Sequence, residues 1–368
     1  MKKLCKRLLS ITPMLAVGFG CGILIGRYGF HARESGFPGG VFGSMGVLFV
    51  GFVMGLILQI AVHEAGHLVC GLLTGYRFCS YRLGSLMVLR EDGRLRLRRL
   101  KVAGTGGQCL MAPPPWSENF PAVLYNLGGC LANLLCGVLC LLLWLPLRRH
   151  WLGGLPMVCG LLGVAFALLN GIPMKAGGLD NDGRNVLSLK KDAAARCAFW
   201  VQMKICEAQS KGLRLYQMPE DWFAYPEERL DNPLVASVAV FACNRLLDAG
   251  NAAEAGKAID TLLCRKSGMP GIYRDLLTGD LLCCRLLAGD TAGAKALITP
   301  DWERFCKSMK TFPSVLRTQY FRALLLEKDA AGAESALAAF DHGVRTYPYP
   351  AEIEGERELL AMARSVAV

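Results

Sequence analysis

Residues 41–73, VFGSMGVLFVGFVMGLILQIAVHEAGHLVCGLL, are an apolar run that carries His63-Glu64-Ala65-Gly66-His67 near its end. About twenty apolar residues in a helix cross a hydrocarbon core of ~30 Å, so the run predicts a membrane helix with two histidines and a glutamate at membrane depth. On that helix His63 and His67 lie one turn apart on one face, where both imidazoles can converge on a single metal while Glu64 projects beside them toward a metal-bound water. The plain alternative is a pair of polar helix residues satisfied by their neighbours. Ionisable side chains within a membrane segment are costly and mark function by default. The pattern therefore predicts a zinc hydrolase centre in which His63 and His67 hold the metal and Glu64 activates water.

The same helix has a second regularity: Gly51, Gly55, Gln59, His63, His67 and Gly71 recur every four residues. They form a slowly winding stripe of small and polar side chains that calls for helices, not lipid, against it. Asn126, Gly128, Gly129 and Asn133 in a later apolar run offer a partner surface, with Asn133 serving either as structural support or as a substrate contact.

Outward from this helix, four apolar runs precede residue 175: Leu8 to Gly26, Val41 to Leu73, Ala122 to Leu147 and Trp151 to Ile172. The remaining half is more polar and helically patterned. A 53% hydrophobic content fits a membrane protein with a soluble appendage. Much of the net charge of +11 lies beside the apolar runs, which points to a lipid bilayer as partner and not to nucleic acid. Sixteen cysteines without CxxC spacing read as reduced, small core residues. Lys2, Lys3, Lys6 and Arg7 open the chain, and the first apolar run continues past Cys21, which predicts an uncleaved signal anchor and not a secretory or lipoprotein signal. These residues and the basic stretch Arg77, Arg82, Arg90, Arg94, Arg96, Arg98, Arg99 and Lys101 are expected in the cytoplasm. Four crossings then give a multi-pass protein of the cell membrane with both the N-terminus and the C-terminal half inside. Arg148 and Arg149 are a mild exception.

A catalytic zinc needs a third protein ligand and an open position. Asn170-Gly171-Ile172-Pro173-Met174-Lys175-Ala176-Gly177-Gly178-Leu179-Asp180-Asn181-Asp182-Gly183 offers one, because Pro173 and the glycines break the helix where two carboxylates follow.

Taken together, His63 to His67 in one helix, Gly128-Gly129 to Asn133 in the next, and Asn170, Pro173 and Asp182-Gly183 in a third resemble the three-helix core of the site-2 protease family over residues 41 to 190. The resemblance implies an intramembrane zinc metalloprotease acting on membrane-spanning or membrane-associated peptides. It also implies zinc on His63, His67 and an aspartate, with Glu64 catalytic. The family commonly has fewer residues between the proline and the aspartate-glycine pair, so Asp182, followed by glycine, is the better match and Asp180 the alternative. Asn133 and Asn170 would bind substrate or support the site.

Leu83 to Arg90 and Arg94 to Val102 flank Asp92-Gly93, a tight-turn signal, and predict a hairpin within 79–111 with one basic and one apolar face. It could lie on headgroups or pair with an extended substrate. Gly104-Thr105-Gly106-Gly107-Gln108 is too glycine-rich for a regular strand and lacks the lysine-serine ending of a phosphate loop. Further on, Gly250-Asn251-Ala252, Gly289-Asp290-Thr291 and Lys328-Asp329-Ala330 begin matching segments 39 residues apart. Each follows an apolar helix and precedes another, which predicts an α-solenoid resembling tetratricopeptide-type repeats that binds a protein partner.

The expectation is a mainly α chain: a polytopic membrane helix bundle with a small cytoplasmic β-hairpin, followed by a cytoplasmic α-solenoid. Residues 1–40 are an anchor and external loop, 41–190 the protease core including the hairpin, and 191–368 the helical-repeat domain. The alternatives are a membrane-anchored scaffold with a vestigial metal site, and a membrane-face protease that processes peptide precursors.

Overall fold

The computed structural model describes residues 18–23, 25–26, 39–91, 93–100, 102, 105–176 and 179–367. Most of the first apolar run with Lys2, Lys3, Lys6 and Arg7, and also Asp92, Lys101, Gly104 and Gly177-Gly178, lie outside the described residues. The chain is mostly helical and divides into two compact units, one of residues 1–76 with 119–191 and the other of 77–118 with 192–368.

The first unit is built on α1 (Gly40–Leu73), α2 (Ala122–Leu147) and α3 (Gly154–Gly171), each packed against the other two. With the 3-10 turn Trp151–Gly153 that leads into α3, these are three helices long and apolar enough to cross a membrane. Helix α1 stops at Thr74-Gly75, where Gly75 takes φ 87° and the Tyr76 N–H returns to Gly71 O at 3.0 Å. Large apolar side chains such as Phe42, Phe49, Leu73 and Leu135 point outward, whereas Gln59, His67, Asn126 and Asn133 are buried. That inversion suits an apolar solvent, since in water each buried amide would displace an apolar group that belongs inside.

The four-residue stripe on α1 is buried except at His63, which is half-buried. Its Gly51 and Gly55 meet α3, where Leu155 and Cys159 would touch an added Cβ. Lower down, Gly66 and Gly128 form the α1–α2 crossing: a Cβ on either would overlap the other's carbonyl oxygen.

After α3, Lys175–Ala176 (β5) and Leu179–Asp180 (β6) pair antiparallel and lead into α4 (Asp182–Lys191), which packs on α2 and α3. Lys175 thus faces Asp180 and Ala176 faces Leu179 just before the aspartate-glycine pair.

In the second unit, β1 (Arg77–Leu83), β2 (Leu86–Glu91), β3 (Arg94–Arg99) and β4 (Gly107–Ala112) make an antiparallel sheet ordered β3-β2-β1-β4. Two expectations change. The stretch from Leu83 to Arg90 is not one strand, because Gly84 at φ 60° turns the chain and pairs Leu83 with Leu86. Gly107 and Gln108 do enter a strand, held by pairing to Leu83 and Arg82. The predicted hairpin survives as β2–β3, with Glu91 opposite Arg94, inside this larger sheet. The sheet also groups with residues 192–368, packing on α5 (Ala193–Ser210), and not with the 41–190 segment to which the sequence assigned it.

The rest of this unit is helical: α6 (Pro233–Asp248), α7 (Ala252–Cys264), α8 (Gly271–Leu287), α9 (Thr291–Ala296), α10 (Pro300–Ser308), α11 (Pro313–Phe321), α12 (Ala330–Gly343) and α13 (Pro350–Ala367). The three matching turns share one backbone state, with Gly250 at φ 78°, Gly289 at φ 77° and Lys328 at φ 57°. Asp290 and Asp329 cap the helices that follow through Gly293 and Gly332. Helix α13 packs against α6, α8 and α11, and its Glu356 lies 2.8 Å from the buried Arg317 of α11.

Candidate metal centre

His63 and His67 occupy successive turns of α1, and Asp182 opens α4. Their ligand atoms converge: His63 Nε2 lies 3.1 Å and His67 Nε2 3.7 Å from Asp182 Oδ2, and the two Nε2 atoms are 3.2 Å apart. Among the described residues these three form the one group of metal-ligating side chains placed to hold an ion.

The protons on the imidazoles can be assigned from their partners. His67 Nδ1 is 2.8 Å from the Tyr125 carbonyl oxygen, which can only accept, so Nδ1 carries the proton and donates. His63 Nδ1 is 2.7 Å from Asn133 Oδ1. The Asn133 amide is oriented by its Nδ2, which donates to the Gln59 backbone oxygen and to Gln59 Oε1, each at 2.8 Å. Oδ1 therefore accepts from His63 Nδ1. In the neutral rings both Nε2 atoms then carry lone pairs, and they face each other and a carboxylate oxygen. Three acceptors at such separations repel unless a cation lies among them.

The donor set fits zinc. Two histidine nitrogens and one carboxylate oxygen are the ligands of a catalytic site with an open fourth position, and metal–ligand distances of about 2.0–2.1 Å in a tetrahedron put neighbouring donors roughly 3.3–3.4 Å apart. The three observed separations bracket that value. The second partners of both histidines are in place as well.

Local sequence explains the placement. An added Cβ at Gly129 would stand 2.5 to 2.7 Å from ring atoms of His63, so only glycine leaves room for the imidazole. Asn181 fixes Asp182: its Nδ2 donates to Leu169 O at 2.7 Å and Ile172 O at 2.6 Å, while its Oδ1 accepts from the backbone N–H groups of Met174 and Arg184. Gly183 lies in the first turn of α4, where a Cβ would overlap Gly171 O. Its role is close approach.

Asp180 pairs with Arg184 at 2.9 Å and Lys175 at 3.6 Å, and the metal-ligating group contains Asp182 in its place. Glu64 lies half-buried on α1 beside His63. Asn170 donates to Phe166 O at 3.0 Å within its own helix. Asn181, Tyr125 and the side chain of Gln59 were not singled out by sequence as parts of the site. Asn181 carried one signal, an asparagine directly before the candidate ligand at a helix start.

No protein-family model, curated protein or solved structure matches this chain.

Proposed function

We propose that this chain is an intramembrane zinc-dependent endopeptidase of the site-2 protease type that cleaves membrane-associated protein or peptide substrates. The observation that carries the reading is the convergence of His63, His67 and Asp182, with both Nε2 lone pairs turned inward, among helices apolar enough to cross a bilayer. A scaffold has no use for three mutually repelling acceptors.

Zinc bound there would supply Lewis acidity to a peptide carbonyl and make water acidic enough to attack near neutral pH. Glu64 takes the proton as water attacks and returns it to the leaving amine. Asn133 and the Tyr125 carbonyl hold the two imidazoles in the tautomer that leaves Nε2 unprotonated. The apolar helices around the site limit water, so hydrolysis depends on what the open position admits.

The arginines of β1 to β3 favour a cytoplasmic face for the sheet and, with it, for the C-terminal half. The recurrent helix–turn–helix units support an α-solenoid that recruits substrate or a regulator.

The test is cleavage of a membrane-peptide library by wild type and Glu64→Gln in bilayers. Glu64→Gln is expected to keep metal and fold while losing hydrolysis, because the amide cannot take the proton. Equal cleavage by both proteins overturns the enzymatic reading.

A further inference from the structure

Gln59 is completely buried one turn before His63 on α1, at a depth where a glutamine is costly. Every polar atom of its side chain is committed. Nε2 donates to the Cys159 carbonyl of α3 at 3.1 Å, and Oε1 accepts from Asn133 Nδ2 at 2.8 Å. Asn133, also completely buried, accepts the His63 Nδ1 proton at 2.7 Å. Gly163 makes room for the arrangement, since a Cβ there would stand 2.8 Å from Gln59 Nε2.

The direction of this chain is set at its ends by backbone. The Cys159 carbonyl can only accept, so it fixes which end of the Gln59 amide faces Asn133. The Gln59 backbone carbonyl can only accept as well, so it holds Asn133 Nδ2 on the same side. If Asn133 flipped, its oxygen would face two acceptors and its amide would face His63 Nδ1. The imidazole proton would then move to Nε2, where an N–H points at Asp182 and His67 and cannot ligate a metal.

We propose that Gln59 is a positioning residue of the metal centre: acting only through Asn133, it locks His63 in the tautomer that presents Nε2 to the metal. The proposal rests on the metal reading above, and its test separates the two. Nitrogen-15 NMR of histidine-labelled, metal-free full-length protein at mildly alkaline pH reads the His63 tautomer directly. Wild type is expected to show a protonated Nδ1, and Gln59→Met a mixture of tautomers. Competition against a chromophoric zinc chelator supplies the second readout. Loss of an outer-shell partner typically weakens metal binding about 10–100-fold, the range expected for Asn133→Leu, with a smaller loss for Gln59→Met. The double variant should bind like Asn133→Leu alone. An unchanged tautomer in Gln59→Met, or losses that multiply in the double variant, would overturn the proposal. A wild-type protein that shows the Nδ1–H tautomer but binds no zinc would defeat the metal reading and leave the positioning role standing.

Discussion

Gly129→Ala adds one methyl group at a position no ligand occupies, and its effect follows from geometry. The new Cβ would stand 2.5 Å from His63 Cε1, 2.6 Å from Nδ1 and 2.7 Å from Nε2, distances that real atoms do not share. The ring must move, and moving it breaks the 2.7 Å bond to Asn133 and withdraws Nε2 from Asp182. Overpacking of this kind costs about 1–3 kcal/mol in stability. The larger loss is in the metal: four-ligand structural sites bind zinc with about 10–16 kcal/mol, so one ligand is worth roughly 3 kcal/mol, or about a hundredfold in affinity. Chelator competition on purified protein measures it. Gly171→Ala is the control, because a Cβ there would meet Cys130 at an ordinary 3.7 Å. A Gly129→Ala protein that holds zinc as tightly as wild type would refute the placement of His63 on which the account depends.

Asp182→Asn should weaken zinc binding by a similar factor while Asp180→Asn, which only loosens the pairs of this largely buried carboxylate with the exposed Arg184 and Lys175, should change it less than about twofold, as the same titration will show. Lys328 holds the left-handed conformation that glycine takes in the two preceding turns, so Lys328→Gly should stabilise the helical unit by up to about 1 kcal/mol in a denaturant titration. Glu352 and Glu356 on α13 are both pushed up to about 7, chiefly by burial, from an ordinary value near 4.5. Raised folded pKa values mean that their contribution is complete below pH 4.5 and is lost as pH climbs to 7. Hydrogen exchange of residues 350–367 should accelerate over that window, by on the order of 3 kcal/mol in opening energy per group, and Glu352→Gln should flatten the profile.

Much of the first unit was legible because lipid-length apolar runs and a four-residue polar stripe are one-dimensional signals. The helix carrying His63 and His67 and the apolar run Ala122 to Leu147 were read within a residue of their structural ends. The pairing of Asp182 with both histidines followed from ordered motifs, but the reason for Gly183 did not, since overlap with Gly171 O is a tertiary fact. Gln59, Asn133 and Cys159 lie far apart in sequence, and nothing local signals that a glutamine amide will orient an asparagine. The turn at Gly84-Ser85 was missed because Asp92-Gly93 carried the stronger turn signal and the apolar stretch Leu86 to Leu89 that follows Ser85 read as one strand with Leu83. Glycine content argued against a strand at Gly107, where cross-strand pairing to Leu83 decided the outcome.

The most direct measurement is the metal content of the full-length protein, purified without chelators, for wild type and for the His63→Ala/His67→Ala double variant. The account predicts about one zinc per wild-type chain and little in the double variant, because one aspartate cannot retain a catalytic ion. Stoichiometric zinc in the double variant, or none in a folded wild type supplied with zinc, would contradict it.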